Sequence, residues 1–370
     1  VSGFLRRIPL SRLLLLCGVV IVVGIGATAL AMAVSSGPTP PPKPLAEAIH
    51  DAASAPKVDG VSARIQLTNH LLEGANLASG GGGEASQLSS SPLISGASGR
   101  LWIGSDGYAR LELQSEKGDT QILYDGQNVS MFDASTNTLY RVKPQPGSGE
   151  SSPSKSTDST YKVPTVAEIE EHLAKASKHA DISGATPTDV AGQAAYTVRV
   201  SPNEDGGLIG GAELSWDAAH GSPLRAAVYS TTSSSPVIEL AATEISYGPV
   251  DSSTLDFKPP ADAKVQDVTL PAKPSAKPDV TASGEDKPKV TVHGKGLGAI
   301  VLAESPVKTG SKESGASQLE GLQQVDINGT KASELPTQLG TLLSFERAGM
   351  RYLLVGSVTP SAIETFARGL

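Results

Sequence analysis

The sequence predicts an α+β protein built on a curved antiparallel β-sheet with helices packed against it. Three observations carry this. Gly99 to Val142 holds five strand-like segments separated by turn residues. A capped, amphipathic helix follows, and after it the strand pattern resumes from Gln193 to Tyr247.

The chain opens on Arg6, Arg7 and Arg12, followed by Leu13 to Val34, an uncharged apolar run. About 20 apolar residues cross the hydrocarbon core as a helix, and basic residues stay on the cytoplasmic side. Residues 1–12 therefore read as a cytoplasmic leader and 13–34 as a transmembrane helix or signal anchor, with the bulk of the chain extracytoplasmic. Ala31-Met32-Ala33 is the alternative, a cleavage site. The apolar run is longer than a usual signal-peptide core, which favours an uncleaved, single-pass cell-membrane protein. Residues 35–44 (SSGPTPPPKP) form a stiff, polyproline-like spacer.

Leu45 to Ala55 favours a helix, with Leu45, Ala48, Ile49 and Ala52 on one face. In Val58 to Leu72 the residues Val61, Ala63, Ile65 and Leu67 alternate as one face of a strand. Gly80 to Gly83 and the serines up to Ser91 read as an insertion. Within Gly99 to Val142, Asp106-Gly107, Gly118-Asp119 and Asp125-Gly126 are the punctuation. Such pairs supply the positive φ angles that tight hairpins need. Leu111, Leu113, Ile122, Val129 and Met131 are expected on a buried face, with Arg110, Glu112 and Ser130 facing water.

Pro144 to Tyr161 is a polar loop. In Pro164 to Ala180, Thr165 and Glu168 have the spacing of a capping box, and Val166, Ile169 and Leu173 form an apolar stripe. Strands are expected at Gln193 to Ser201, Gly211 to Asp217, Leu224 to Ser230 and Val237 to Tyr247. Lys264 to Lys289 is rich in Pro, Lys and Asp without apolar periodicity, so the main domain is placed at 45–266 and a linker at 267–289. Residues 290–370 read as a small α+β domain, with a strand at Val290 to Gly294, another at Tyr352 to Val355 and a closing amphipathic helix from Pro360.

Composition excludes several function classes. Net charge is −8, with pI near 5.3, which argues against a nucleic-acid binder. The single cysteine, Cys17, permits neither an internal disulfide nor a cysteine metal site. Gly294 to Ala299 fits G-x-G-x-x-A, but Pro306 interrupts the helix that a dinucleotide site requires. His172 and His179 lie two turns apart on one helix and read as a solvated face. No nucleophile elbow or catalytic carboxylate pair stands out. The sequence thus reads as a non-enzyme without cofactor or metal.

One family does resemble this chain. Gly99-Arg100-Leu101, Arg110-Leu111-Glu112, Tyr124-Asp125-Gly126-Gln127-Asn128-Val129, Phe132-Asp133 and Asn137-Thr138-Leu139-Tyr140 follow in order. A helix and a second strand set come next, and Leu255 to Val265 (LDFKPPADAKV) closes the pattern. Together these resemble the LolA-like lipoprotein-carrier superfamily, which includes the periplasmic lipoprotein carrier and the RseB-type stress sensors. The last 80 or so residues resemble a small domain of actinobacterial and Gram-positive secreted or membrane proteins.

The resemblance implies a half-barrel with helices across its mouth and an apolar cavity that holds acyl chains. The cavity wall would comprise Leu111, Leu113, Ile122, Val129, Met131, Val198, Val200, Leu214, Val228, Ile238 and Leu240. Aromatic residues are only 4% of the chain, so the wall would be aliphatic, which suits flexible chains. The implied role is a membrane-anchored carrier or chaperone of lipid or acylated protein, working with an ABC exporter. An RseB-like sensor binding a membrane partner such as an anti-sigma factor is the alternative.

Overall fold

The computed structural model describes residues 37–73, 92–116, 118–126, 128–143, 163–203, 207–269, 289–307 and 322–370. The expected membrane segment at 13–34 and most of the linker lie outside these residues. Among the described residues, no helix is long and apolar enough to cross a membrane.

A helix, α1 (Leu45–Ser54), comes first, followed by β1 (Gly60–Asn69) and a single turn, α2 (Pro92–Ser95). The meander is β2 (Ala97–Gly104), β3 (Ala109–Ser115), β4 (Gly118–Tyr124), β5 (Val129–Asp133) and β6 (Thr138–Lys143). The hairpin turns include Gly107 and Gly126 at φ of 86° and 89°, a backbone region that costs glycine little. Helix α3 (Val166–Ala176) starts on the expected capping box: the Thr165 hydroxyl accepts from the Glu168 amide, and the Glu168 carboxylate accepts from the Thr165 amide. Then come β7 (Ala180–Ile182), β8 (Thr186–Val190), β9 (Gln193–Pro202), β10 (Ile209–Asp217), β11 (Pro223–Ser230) and β12 (Pro236–Tyr247). A short α4 (Ser252–Leu255) and β13 (Lys264–Thr269) complete the first sheet.

That sheet runs in the order β13-β6-β5-β4-β3-β2-β1-β12-β11-β10-β9-β7, with β8 also on β9. It is mostly antiparallel, and β1 is the seam between the meander and the second strand set. Two expectations are corrected here. The antiparallel sheet expected as a curved half-barrel is present but open and uncurled, with β13 and β7 at opposite ends. Closure needs a continuous ladder around the ring, whereas the far end is finished by strands of three and five residues. The first residues of the linker expected at 267–289 belong to the sheet instead, because Lys264 to Thr269 pairs parallel with β6. This edge strand carries few apolar residues, which is why no periodicity marked it.

A second, six-stranded sheet holds β14 (Lys289–His293), β15 (Ile300–Pro306), β16 (Gln323–Ile327), β17 (Thr330–Thr337), β18 (Gly340–Arg347) and β19 (Met350–Gly356). Its order is β14-β15-β19-β18-β17-β16, and α5 (Pro360–Arg368) covers one face. Ile300, Leu302, Ile327, Leu343, Phe345 and Leu354 meet Ile363 and Ala367 of α5 in its core. The Gly-rich Gly294 to Ala299 stretch makes a 3₁₀ turn at Gly296–Gly298 and enters a strand, not a helix.

Glu334 lies in that core, 1% exposed, on the rung of Leu343 and Leu354. Burial pushes its carboxyl above the usual range, and the nearby Glu364 pushes the same way. A carboxyl raised in the folded state binds its proton more tightly than in the unfolded chain. Stability is therefore lost as pH climbs from about 4.3, the unfolded value, towards the folded one. Glu334→Gln is expected to unfold at higher urea than wild type at pH 7 and at nearly the same urea at pH 4. Urea titrations at the two pH values check this.

Candidate functional site

Residues directly opposite in antiparallel strands share a face. From β1 outward, one rung reads Ala63, Leu101, Leu111, Ile122, Met131 and Tyr140. The next carries Val61, Ile103, Ala109, Tyr124 and Val129. A third carries Ile65, Gly99, Leu113 and Thr120. On the other side of β1 the same face continues through Leu67, Leu240, Ala226, Leu214 and Val198, then through Ile238, Val228, Ala212 and Val200. All eleven residues expected to line a cavity thus share one apolar face.

They do not share one environment. Leu113 is 1% exposed and belongs to a solid core with Ala63, Ile65 and Ala97, into which Leu93 of α2 packs. Leu111 and Leu240 border that core. Val198 and Leu214 lie beneath α1, against Ala48, Tyr196 and Trp216. Val228 and Ala212 are covered by Leu339, at the tip of the β17–β18 hairpin of the second sheet. Val200, Ile238, Ile122, Val129 and Met131 are half-buried. Leu101 and Tyr140 sit on the rung of Ile122 and Met131 and were missed. Their alternation with the neighbouring apolar residues was the available signal. Leu339 carried no signal, since a lone leucine in a turn has no period.

The opposite face is not simply wet. Arg110 and Glu112 point away from Leu111 and Leu113, as expected, but they are half-buried and ion-paired. Arg110 also donates to the Thr254 carbonyl at 2.8 Å and lies 5.5 Å from the Phe257 ring. The α4 segment, not water, covers them. On β9 to β12 this face carries a charged network. Arg199 and Arg225 each bind Glu213, at 2.8 and 2.7 Å, and Arg225 reaches Glu239 at 3.1 Å. The Tyr229 hydroxyl donates to Glu213 at 2.7 Å. Burial pushes the Glu213 carboxyl up, but hydrogen bonds from Arg225, Tyr229 and Arg199 outweigh it and hold it below the usual range.

Asp217 anchors the β10–β11 turn. It accepts from the amides of Ala219 at 2.7 Å and His220 at 2.9 Å, and from the Tyr247 hydroxyl at 2.8 Å. His220 stacks on Tyr247 at 3.8 Å. These contacts hold a turn, and the serine of that turn, Ser222, gives its carbonyl to the Asp217 amide. Among the described residues, no group of three or more His, Cys, Asp and Glu is placed to hold a metal ion.

The two sheets meet at a hydrogen-bonded junction. The Leu208 amide donates to the Ser357 carbonyl at 2.8 Å and the Ile209 amide to the Ser357 hydroxyl at 3.1 Å. The Gln338 amide donates to the Leu71 carbonyl at 3.0 Å, and its side-chain amide to the Glu73 carbonyl at 3.0 Å.

No family model matches the chain, and no curated protein matches it. Among solved structures it is similar to the Pseudomonas aeruginosa MucA/MucB complex at 14% identity and a TM-score of 0.43, over 87% of this chain and 96% of that one. It is similar to a LolA superfamily protein from Nitrosomonas europaea at 8% identity and a TM-score of 0.19, over 84% and 90% of the two chains. A DUF1329 family protein from Desulfovibrio piger is similar at 9% identity and a TM-score of 0.21, over 84% and 91%. What the site can do is read from this chain's own residues.

Leu339 is the apolar pin of the junction. Leu339→Asp places a charge against Ala212 and Val228 and is expected to speed hydrogen exchange at the Leu208 and Gln338 amides at least tenfold. Exchange measured by mass spectrometry checks this, with the β1–β2 amides as the unchanged reference.

Proposed function

We propose that this chain is a LolA/RseB-type binding protein that seats an acyl chain of a lipid or acylated protein on the apolar face of its first sheet. The observation that supports this is the rung Leu101, Leu111, Ile122, Met131 and Tyr140. It crosses β2 to β6 without a charged residue, and every member is half-buried, neither sealed in core nor fully exposed. Neighbouring strands lie about 4.8 Å apart, so the five residues make an apolar track about 19 Å long. Each buried methylene is worth roughly 0.8 kcal/mol, and a sixteen-carbon chain has on the order of 12 kcal/mol to gain.

The seat is narrower than the eleven expected residues. Leu113, Val198, Leu214 and Val228 support the sheet by packing against other parts of the chain. On the meander Leu111, Ile122, Val129 and Met131 form the contact surface, joined by Leu101 and Tyr140; Val200, Ile238 and Leu240, half-buried on the other side of β1, lie off this track. In this reading residues 13–34 tether the protein in the cell membrane, with the sheets outside. It passes cargo to or from an exporter and performs no chemistry of its own.

A second reading is a sensor that binds a membrane protein such as an anti-sigma factor. It is favoured by the outer face of the second sheet. There Val290, Val292, Val301 and Val355 are 56%, 64%, 39% and 44% exposed, an apolar surface on the side away from α5. Exposed apolar patches of this kind mark interaction sites.

The test uses full-length protein purified in a detergent without long acyl tails. Organic extraction and mass spectrometry are expected to recover lipid, and a fluorescent fatty acid is expected to bind. Ile122→Glu puts a carboxylate in the middle of the track and is expected to weaken that binding at least tenfold, about 1.4 kcal/mol, with the circular dichroism spectrum retained. No recovered lipid together with no fatty-acid binding defeats the reading. Equal binding by wild type and Ile122→Glu defeats the assigned seat.

A further inference from the structure

A second groove opens on the charged face of the first sheet, on the opposite side from the acyl track. It has a volume of about 430 Å³ and spans β12, β1 and β2. Two rungs floor it: Ser246, Ser62 and Trp102 on one, and Glu244, Arg64 and Arg100 on the other. Arg64 and Arg100 are direct cross-strand partners. Like charges at directly opposed positions destabilise a sheet unless something neutralises them.

The available carboxylates do not neutralise both. Glu244 pairs with Arg64 at 3.2 Å. Glu112, the other cross-strand neighbour of Arg100, is held by Arg110. Among the described residues no ion pair forms at Arg100, although this protein carries 38 acidic residues against 30 basic ones. The groove's floor therefore has a formal charge of +1 from Arg64, Arg100 and Glu244.

A β-bulge adds an independent sign. The register of β1 against β12 shifts between Arg64 and Ile65, so that Thr243 is skipped and the Thr243 hydroxyl turns to the Arg64 carbonyl at 3.4 Å. Bulges re-aim side chains and are frequent beside functional sites. This one lies at the groove itself, with Arg64, Glu244 and Ile245 among the lining residues.

We propose that the groove binds an acidic peptide segment, with one Glu or Asp carboxylate seated between Arg64 and Arg100 and the neighbouring residues against Trp102. Guanidinium groups recognise carboxylates with paired hydrogen bonds. A floor of +1 is balanced by one monoanionic carboxylate. A phosphate dianion would overcharge it and press against Glu244. The Ser62 and Ser246 rung and the Trp102 ring suit the mixed polar and apolar surface of a peptide. The proposal does not depend on the acyl seat, which lies on the other face.

The chain has two tryptophans, Trp102 at this groove and Trp216 buried beneath α1, so intrinsic fluorescence reports on the groove. Full-length protein in detergent is titrated with the N-acetylated, C-terminally amidated peptides Val-Glu-Val-Glu and Val-Gln-Val-Gln, and with inorganic phosphate. The glutamate peptide is expected to give a saturable change, at least tenfold tighter than the glutamine peptide and weakened as salt rises from 50 to 300 mM. Arg100→Gln is expected to weaken it at least tenfold. Arg100 is exposed and holds no other side chain among the described residues, so the variant keeps its fold. Arg64→Gln is a second variant with the same expected direction, and Arg141→Gln, an exposed arginine on β6 outside the groove, leaves binding unchanged. Equal binding of the two peptides overturns the proposal, as does binding unaffected by Arg100→Gln or phosphate binding tighter than the glutamate peptide.

Discussion

The pairing of β1 with β12, closed between residues almost the whole sheet apart in sequence, is the constraint on which this structure depends. It joins the meander to the second strand set and decides which side of the sheet is apolar. A slip of one residue exchanges the two faces of a strand. Here the register contains a deliberate slip. Below the bulge, Ala63 faces Ile245 and Val61 faces Tyr247; above it, Ile65 faces Ala242 and Leu67 faces Leu240. Without the bulge Leu67 would face Ala241. Leu240 and Ile238 would then turn to the charged side, and Glu239 would turn from Arg225 into the apolar core. One extra residue keeps the traced apolar face on one side from β6 to β9.

Two consequences follow for function. The apolar side is divided by what covers it: α1 over β9 and β10, Leu339 of the second sheet over β10 and β11, and α2 over the centre. The rung Leu101, Leu111, Ile122, Met131 and Tyr140 on β2–β6 is half-buried throughout; the rung Leu67, Leu240, Ala226, Leu214 and Val198 is too, but α1 packs against its Leu214 and Val198 end. The polar side is divided in the same manner. Arg110 and Glu112 lie beneath the α4 segment, Glu213 is saturated by Arg199, Arg225 and Tyr229, and Arg100 between them has no ion pair among the described residues. The features open to a partner are those that the chain's own packing leaves over.

Much of this was legible in the sequence because period-two alternation and turn chemistry act locally. The meander, the capping box at Thr165 and the four strands from Gln193 to Tyr247 follow from them. The bulge is visible too, as the phase change in IELAATEISY, where apolar residues move from even to odd positions. What was not legible has long-range causes. Arg110 and Glu112 have the right face but the wrong solvent, because the cover arrives from 140 residues later. Lys264 to Thr269 looks like linker because it pairs parallel with β6 at the sheet edge and carries only two apolar residues, Val265 and Val268. Strand β17 is obscured by Glu334 and Pro336, which stand where apolar residues would mark the face packed beneath α5. The core role of Leu113 and the covers over Val198, Leu214 and Val228 depend on which element lands on which rung, and alternation carries no such information.

The central claim is that the half-buried rung of the meander is where an acyl chain lies. Photo-crosslinking tests it most directly: the full-length protein is loaded with a diazirine-bearing palmitate, irradiated, digested and mapped by mass spectrometry. The account predicts adducts in β3 to β5, at Leu111, Ile122, Val129 or Met131. Adducts confined to the outer face of the second sheet, at Val290, Val292, Val301 or Val355, would contradict it.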